Sequence, residues 1–190
     1  TSLLACEWHD TKLNILDVPG FLDFAGELDA ALPVCENVLM TVDAAAGVGV
    51  GTELLAEKAR ALGKAMAIFI NKMERENADF AKCVDALEET LGIHAVPVQL
   101  PIGQEANFKG VVNVLSKKAY LFEKGASTEI EMPADMADEV EDAHHRLMEY
   151  AAEGDDDTLM KYLDGEELTD DEIKIGLRGA IAKGLLAPVL

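Results

Sequence analysis

The 190-residue chain is short of aromatic residues, basic residues and cysteine, and each shortage excludes a class of function. Aromatic side chains make up 5% of it, with a single tryptophan, too few for a platform on which single-stranded bases stack. Lys and Arg number 16 against 36 Asp and Glu, a net charge of −20. No basic face is available to coat a phosphate backbone, so no sequence-specific nucleic-acid contact is expected. No apolar run reaches the roughly 18 residues of a membrane-crossing helix, and nothing near Thr1 resembles a secretory leader. No membrane partner is therefore expected, and the expected localisation is cytoplasmic. Cys6, Cys35 and Cys83 are far apart, odd in number and form no Cys-x-x-Cys pair, which reads as reduced, buried thiols. What is present, 49% hydrophobic and 27% charged residues, is the composition of a globular chain able to bury a core.

Two rhythms divide the chain. In the first half, the short apolar runs Leu13–Val18, Val38–Val42 and Ala65–Ile70 are bounded by polar or turn residues, as buried parallel strands are. Segments of helical period lie between and after them: Phe21, Ala25, Leu28, Leu32; then Leu55, Ala59, Leu62; then Phe80, Val84, Leu87, Leu91. Gly63 and Gly92 stand where helix C-caps belong. Strand and helix in alternation predict a doubly wound α/β sheet. After Pro97 come extended segments, Val96–Ile102 and Phe108–Phe122, and then three helical patterns without intervening strands. Pro133 suits the first turn of the first of these, Asp155–Asp157 caps the second, and Thr169-Asp170-Asp171-Glu172 is a capping box for the third. Ala187–Leu190 is apolar again and reads as one more strand.

Charge separates the halves too. From Glu129 to Glu172 there are 18 acidic and 2 basic residues, so −16 of the chain's −20 lies there. A solvated helix face accounts for such a surface, and so does a docking surface for a basic partner.

Two motifs carry chemistry. Asp17-Val18-Pro19-Gly20 closes a predicted strand at its C-terminal end, where α/β sheets bind ligands. An Asp there reaches magnesium, usually through water, and the glycine lets a backbone N–H approach a terminal phosphate. A functionless Asp-Xaa-Pro-Gly turn reads equally well. Asn71-Lys72-Met73-Glu74 also follows a strand. Asn-Lys-Xaa-Asp at such a place reads guanine, the carboxylate accepting from ring N–H and exocyclic amine while the lysine stem packs on the base. Here the acid is Glu, whose extra methylene displaces the carboxylate by about 1.5 Å. The alternative is an acid favoured by a helix dipole.

Together, 54 positions apart with strand, helix and strand between them, the motifs carry more weight. The chain resembles the GTP-binding region of translation elongation factor G, especially its diverged elongation factor G-like relatives. The resemblance rests on Leu13–Gly20, Asp23-Phe24, Val42–Gly47 with Thr52-Glu53, Phe69–Glu74, and Asn77-Ala78-Asp79-Phe80. It continues through Pro97–Gly103, Phe108-Lys109-Gly110-Val111-Val112, Pro133-Ala134-Asp135-Met136, Lys161-Tyr162-Leu163 and Gly165-Glu166-Glu167-Leu168-Thr169. It implies a partial P-loop GTPase-type doubly wound sheet with an inserted α+β subdomain. The implied division is a partial GTPase core over 1–97, the insert over 98–186, and a returning core strand over 187–190 beside Ala65–Ile70. It also implies that a longer parent binds GTP/GDP and magnesium and acts on the ribosome in protein synthesis. Asp17 and Gly20 would then serve the phosphate and magnesium side, Asp17 as a metal ligand through water, and Asn71, Lys72 and Glu74 the guanine. The acidic insert would face the ribosomal stalk protein.

The departures shape the expectation. Gly-x₄-Gly-Lys-Ser/Thr is absent. By the resemblance, the chain opens after the first switch segment and stops before the Ser-Ala guanine loop, so it reads as a piece of a longer protein. No bound nucleotide and no activity are expected of these residues alone. Phe21 stands where the family has a histidine that positions the attacking water, and an apolar ring cannot orient water, so no catalytic residue is assigned. A catalytically silent binding module is the competing reading, and an unrelated α/β enzyme lacks a nucleophile and base at its strand ends. His9 and His94 read as isolated surface or core residues. Adjacent His144 and His145, about 100° apart on a helix, do not form a zinc pair. Met132, Met136, Met148 and Met160 read as core filler, and Trp8 as packed.

Overall fold

The computed structural model describes residues 1–123, 125–166 and 168–190; Glu167, in the run that carries the resemblance, lies outside the described residues. In chain order the elements are β1 (Ser2–Trp8), β2 (Thr11–Asp17), α1 (Ala25–Ala31), β3 (Asn37–Asp43), α2 (Val50–Ala61), β4 (Ala65–Asn71), α3 (Phe80–Leu91) and β5 (Ala95–Pro97). They continue with β6 (Gln99–Ile102), β7 (Gly110–Asn113), β8 (Lys118–Glu123), β9 (Ala126–Ile130), α4 (Ala137–Glu153), α5 (Asp156–Leu163), α6 (Asp170–Ala182) and β10 (Ala187–Val189).

A parallel sheet of order β3-β4-β10-β5 is the centre of the molecule. β3 and β4 pair along their whole lengths, from Asn37 opposite Ala65 to Asp43 opposite Asn71. Inward Met40, Val42, Ile68 and Ile70 are buried, because β-branched and long apolar side chains fill the space under α2 and α3. β10 returns after the second half of the chain to lie between β4 and β5, with Val189 opposite Ile68 and the Ile70 amide donating to the Leu190 carbonyl. This is the return expected of Ala187–Leu190.

The second sheet, β6-β7-β8-β9, is antiparallel throughout, and α4, α5 and α6 follow it. One hydrophobic cluster runs through both sheets: Ile68, Val96 and Val189 of the first join Leu100, Val112 and Val114 at the second, with Leu87, Val140 and Leu147 from the helices. β9 carries no apolar run, and only pairing with β8 makes Ala126–Ile130 a strand.

Helix ends follow their local chemistry. Gly92 takes a left-handed φ of 58° as the C-cap of α3, and Asp155 caps α5 by accepting from the Thr158 amide. Thr169 and Glu172 form a reciprocal capping box at α6, and Glu172 also pairs with Lys161. The Lys161 bond, followed by those from the Thr169 amide and hydroxyl, holds the Glu172 carboxyl at about 2 against an ordinary 4.5.

Several expectations are corrected. Leu13–Val18 is not a buried parallel strand: among the described residues β2 pairs only with β1, antiparallel, and both are exposed apart from half-buried Leu16. A strand is buried only where layers cover it, and this hairpin is exposed at every residue but Leu16. His9 and Asp10, at φ 44° and 58°, form its two-residue turn. Trp8 is 67% exposed for the same reason, and Cys6 is exposed, Cys35 half-buried and only Cys83 buried. Met136 is buried and Met132 and Met148 pack against the core, but Met160 is 62% exposed on α5.

α4 and α6 touch backbone to backbone. A Cβ on Gly154 would stand 1.8 Å from the Gly176 carbonyl oxygen, and one on Gly176 would stand 2.1 Å from that of Ala151. The Lys183 ammonium donates to the Gly154 carbonyl at 2.9 Å across the same crossing. Gly176→Ala is expected to force the helices apart and destabilise the chain by about 2–3 kcal/mol, the upper range for overpacking. Urea denaturation of the variant against wild type measures it, with exposed Gly125→Ala losing only the smaller amount set by its positive φ.

Candidate functional site

The C-terminal ends of β2, β3 and β4 carry Asp17, Asp43 and Asn71 respectively. The last two are register partners, so their loops leave the sheet side by side. Backbone bonds then lace the loops together: the Ala44 amide donates to the Asn71 carbonyl at 2.9 Å, and the Asp79 amide to the Ala44 carbonyl at 3.2 Å. Buried Met73 pins the second loop to the core, and Asp79 caps α3 by accepting from the Lys82 amide.

Charge completes the junction. Asp43 Oδ1 accepts from the Ala45 and Ala46 amides at 3.0 and 3.2 Å, and Oδ2 accepts from Lys72 Nζ at 2.7 Å and from an Arg75 guanidinium nitrogen at 3.1 Å. The Lys72 hydrogen bond, then those of the backbone amides, hold the Asp43 carboxyl at about 2 against an ordinary 3.8. Lys72 has a left-handed φ of 63°, a conformation that costs a non-glycine residue energy and is held by its surroundings. The Asn71 side-chain oxygen contributes by accepting from the Lys72 amide at 2.8 Å. Glu74 is exposed and, among the described residues, makes no hydrogen bond or ion pair. The Asn77 amide, also at positive φ, donates to Glu105 Oε1 at 2.6 Å, which ties this loop to the one after β6.

Asn71, Lys72 and Glu74 thus share one strand end. Asp17 and Gly20 lie at another, with no hydrogen bond to the first three among the described residues. The Gly20 carbonyl approaches the first turn of α2, 3.4 Å from where a Cβ on Gly51 would sit, while a Cβ on Gly20 itself would meet nothing within 4 Å. The Phe21 ring is 76% exposed. Asp43, Arg75 and Glu105 escaped motif reading. For Asp43 a signal existed, an acid closing the strand before the one that carries Asn-Lys; for the other two nothing local marks them.

The residues fit a guanine nucleotide unevenly. After β4 the Glu74 carboxylate, without a partner among the described residues, follows Asn71 and Lys72 in the chain, and a carboxylate is an acceptor suited to a purine with two N–H groups to offer. After β2 there is open space at Gly20 and an exposed Asp17, but no three His, Cys, Asp or Glu side chains gather to hold a metal ion among the described residues. No described helix is long and apolar enough to cross a membrane.

A parallel sheet with Asp43 and Asn71 at its strand C-termini, and a second α+β unit ahead of its returning strand, defines a P-loop GTPase-type α/β fold with an inserted subdomain. The model of the elongation factor Tu GTP binding domain matches residues 1–174, and the chain belongs to that family. The crystal structure of a protein from Thermus thermophilus is similar at a TM-score of 0.90 and 31% identity, over 98% of this chain and 28% of that one. The chain thus spans less than a third of that protein's length.

Because Asp43 ionises more easily in the folded chain than unfolded, its contribution to stability is complete above about pH 4 and is lost as pH falls from 3.8 towards 2. A ¹³C titration of the Asp43 carboxyl is expected to show its midpoint near 2, and Lys72→Met is expected to raise that midpoint towards 3.8. An unmoved midpoint would show that the backbone amides, not Lys72, set it.

Proposed function

We propose that this chain is part of an elongation factor G-like translational GTPase whose full-length form binds GTP and GDP with magnesium and acts on the ribosome in the cytoplasm. The observation that carries the reading is the Asn71-Lys72 strand end, ordered by Asp43, followed by the carboxylate of Glu74, which has no partner among the described residues. In the proposed division, residues 1–97 are the partial core, 98–186 the insert and 187–190 the returning core strand. Asn71, Lys72 and Glu74 bind guanine, and Asp17 and Gly20 face the phosphate, Asp17 reaching magnesium through water. A bound magnesium ion supplies charge neutralisation at the phosphate oxygens. Exposed Leu39 (61%) and Phe69 on the outer face of β3 and β4 support a larger parent, since parallel sheets are covered on both faces.

A catalytically silent, nucleotide-sensing relative is the second reading, and one observation favours it. The exposed Phe21 ring offers no hydrogen bond to an attacking water where the family resemblance puts a histidine. Ribosome-stimulated GTP hydrolysis by the full-length protein separates the two readings.

Guanine binding is tested at Glu74. A charge-assisted bidentate contact misplaced by one methylene loses about 1–2 kcal/mol, so Glu74→Asp in the full-length protein is expected to bind GDP roughly tenfold more tightly. Calorimetry that finds unchanged or weaker binding would remove Glu74 from the base site. The same titration on these 190 residues alone is expected to find no measurable GTP binding, because the phosphate cradle is missing.

The acidic insert is the proposed contact for the ribosomal stalk protein. Glu141 is engaged with Lys117 at 2.6 Å, whereas exposed Asp138, Glu139 and Asp142 have no ion-pair partner among the described residues. Reversing those three to Lys is expected to slow association with isolated stalk protein at low salt, with a smaller effect as salt screens the field. Stopped-flow mixing at two salt concentrations reads it, and identical rates at low salt would leave this surface as a solubility device.

A further inference from the structure

Asp43 lies 29 positions before Lys72 and outside the motif, yet it organises the loop that carries it. Its two oxygens are divided between two tasks. Oδ1 is fixed by the Ala45 and Ala46 amides of its own turn, which aims Oδ2 at the cations arriving from β4. Lys72 Nζ and an Arg75 guanidinium nitrogen both take Oδ2, so the lysine side chain runs from the end of β4 to the end of β3. A lysine on a surface loop otherwise samples many rotamers and keeps its ammonium in water. Here the Lys72 ammonium lies 2.7 Å from Asp43 Oδ2, at the end of the neighbouring strand.

We propose that Asp43 is the positioning residue of the purine-base site: by anchoring the Lys72 ammonium, it lays the lysine's methylene stem along the edge on which the base packs. This rests on the reading of Asn71, Lys72 and Glu74 as the base-binding edge. An aliphatic stem offers a flat apolar surface to a purine, while its charge, already paired, neither competes for the Glu74 carboxylate nor pulls the stem into solvent. Pre-ordering of this kind raises affinity by lowering the cost of binding rather than by adding a contact. Arg75, on the same oxygen, keeps Asp43 paired if Lys72 is lost.

The test uses the full-length protein and a fluorescent GDP analogue, with an ADP analogue as the specificity control. Asp43→Asn keeps an oxygen for the Ala45 and Ala46 amides and removes the charge that holds Lys72. Its unfolding midpoint is expected to fall by the share of stability that the charged carboxylate contributes, with the variant still folded at the assay temperature, while the GDP dissociation constant rises about tenfold, the scale of a charge-assisted bond. Asp43→Glu, which restores the charge one methylene away, is expected to recover much of that loss. In a Lys72→Met background, Asp43→Asn is expected to cost nothing further. Equal losses in both backgrounds, GDP binding by Asp43→Asn as tight as wild type, or an Asp43→Glu variant no better than Asn would each overturn the inference. If wild type binds GDP selectively and any of those three contrary results is found, only the positioning role falls. If wild type does not discriminate GDP from ADP, the base-site reading itself falls and takes the inference with it.

Discussion

The seven-residue parallel register between β3 and β4 is the constraint on which the site depends. Parallel pairing brings strand ends together only if both strands stop at the same level, and here Asp43 and Asn71 are the last pair. A slip of one residue would turn Met40, Val42, Ile68 and Ile70 out of the core, so burial locks the register. Once it is locked, the loops after the two strands leave together, and the Asp43 carboxylate finds Lys72 without any long-range steering. Hydrophobic burial in the sheet is thus what positions a polar junction at its rim.

A second constraint is the route of the chain. Between β5 and β10 it builds an antiparallel sheet and three helices, and then returns to fill the gap between β4 and β5. The two sheets share one hydrophobic cluster, so the second half packs against the core rather than hanging from it by a linker. Glu105, on the loop after β6, accepts from the Asn77 amide and so joins the second half to the candidate base loop. The close crossing of α4 and α6 at Gly154 and Gly176 fixes the far side of this unit. None of its described acids is buried: Asp155 and Glu172 cap helices, Glu141 and Glu129 pair with Lys117 and Lys118, and Asp138, Glu139 and Asp142 are exposed. One acidic run therefore serves local structure and long-range charge together.

Much of the parallel sheet was legible in the chain, because β3, β4, α2 and α3 carry strong periodic patterns bounded by turns and caps. The caps at Asp155, Thr169 and Gly92 were legible for the same reason: each is decided within one helical turn. β2 misled, since an apolar run has the same pattern whether or not a layer covers it, and here all of the strand but Leu16 is exposed. β9 left no pattern, because an edge strand of polar residues depends on its partner's hydrogen bonds. Trp8 and Met160 were misplaced on similar grounds, residue type being only a prior on burial.

By itself, the sequence determined the order of elements, the local helix ends, the concentration of acid in the second half and the two motifs at strand ends. These are all properties of residues within a few positions of one another. Only the tertiary structure decided that Asp43 holds Lys72 and shares its oxygen with Arg75, that Glu74 is left without a partner among the described residues, and that Asp17 stands apart on an exposed hairpin. Pairing between residues 29 or more positions apart depends on strand register and on which face each loop leaves, and those are set by burial of the whole core rather than by any local pattern.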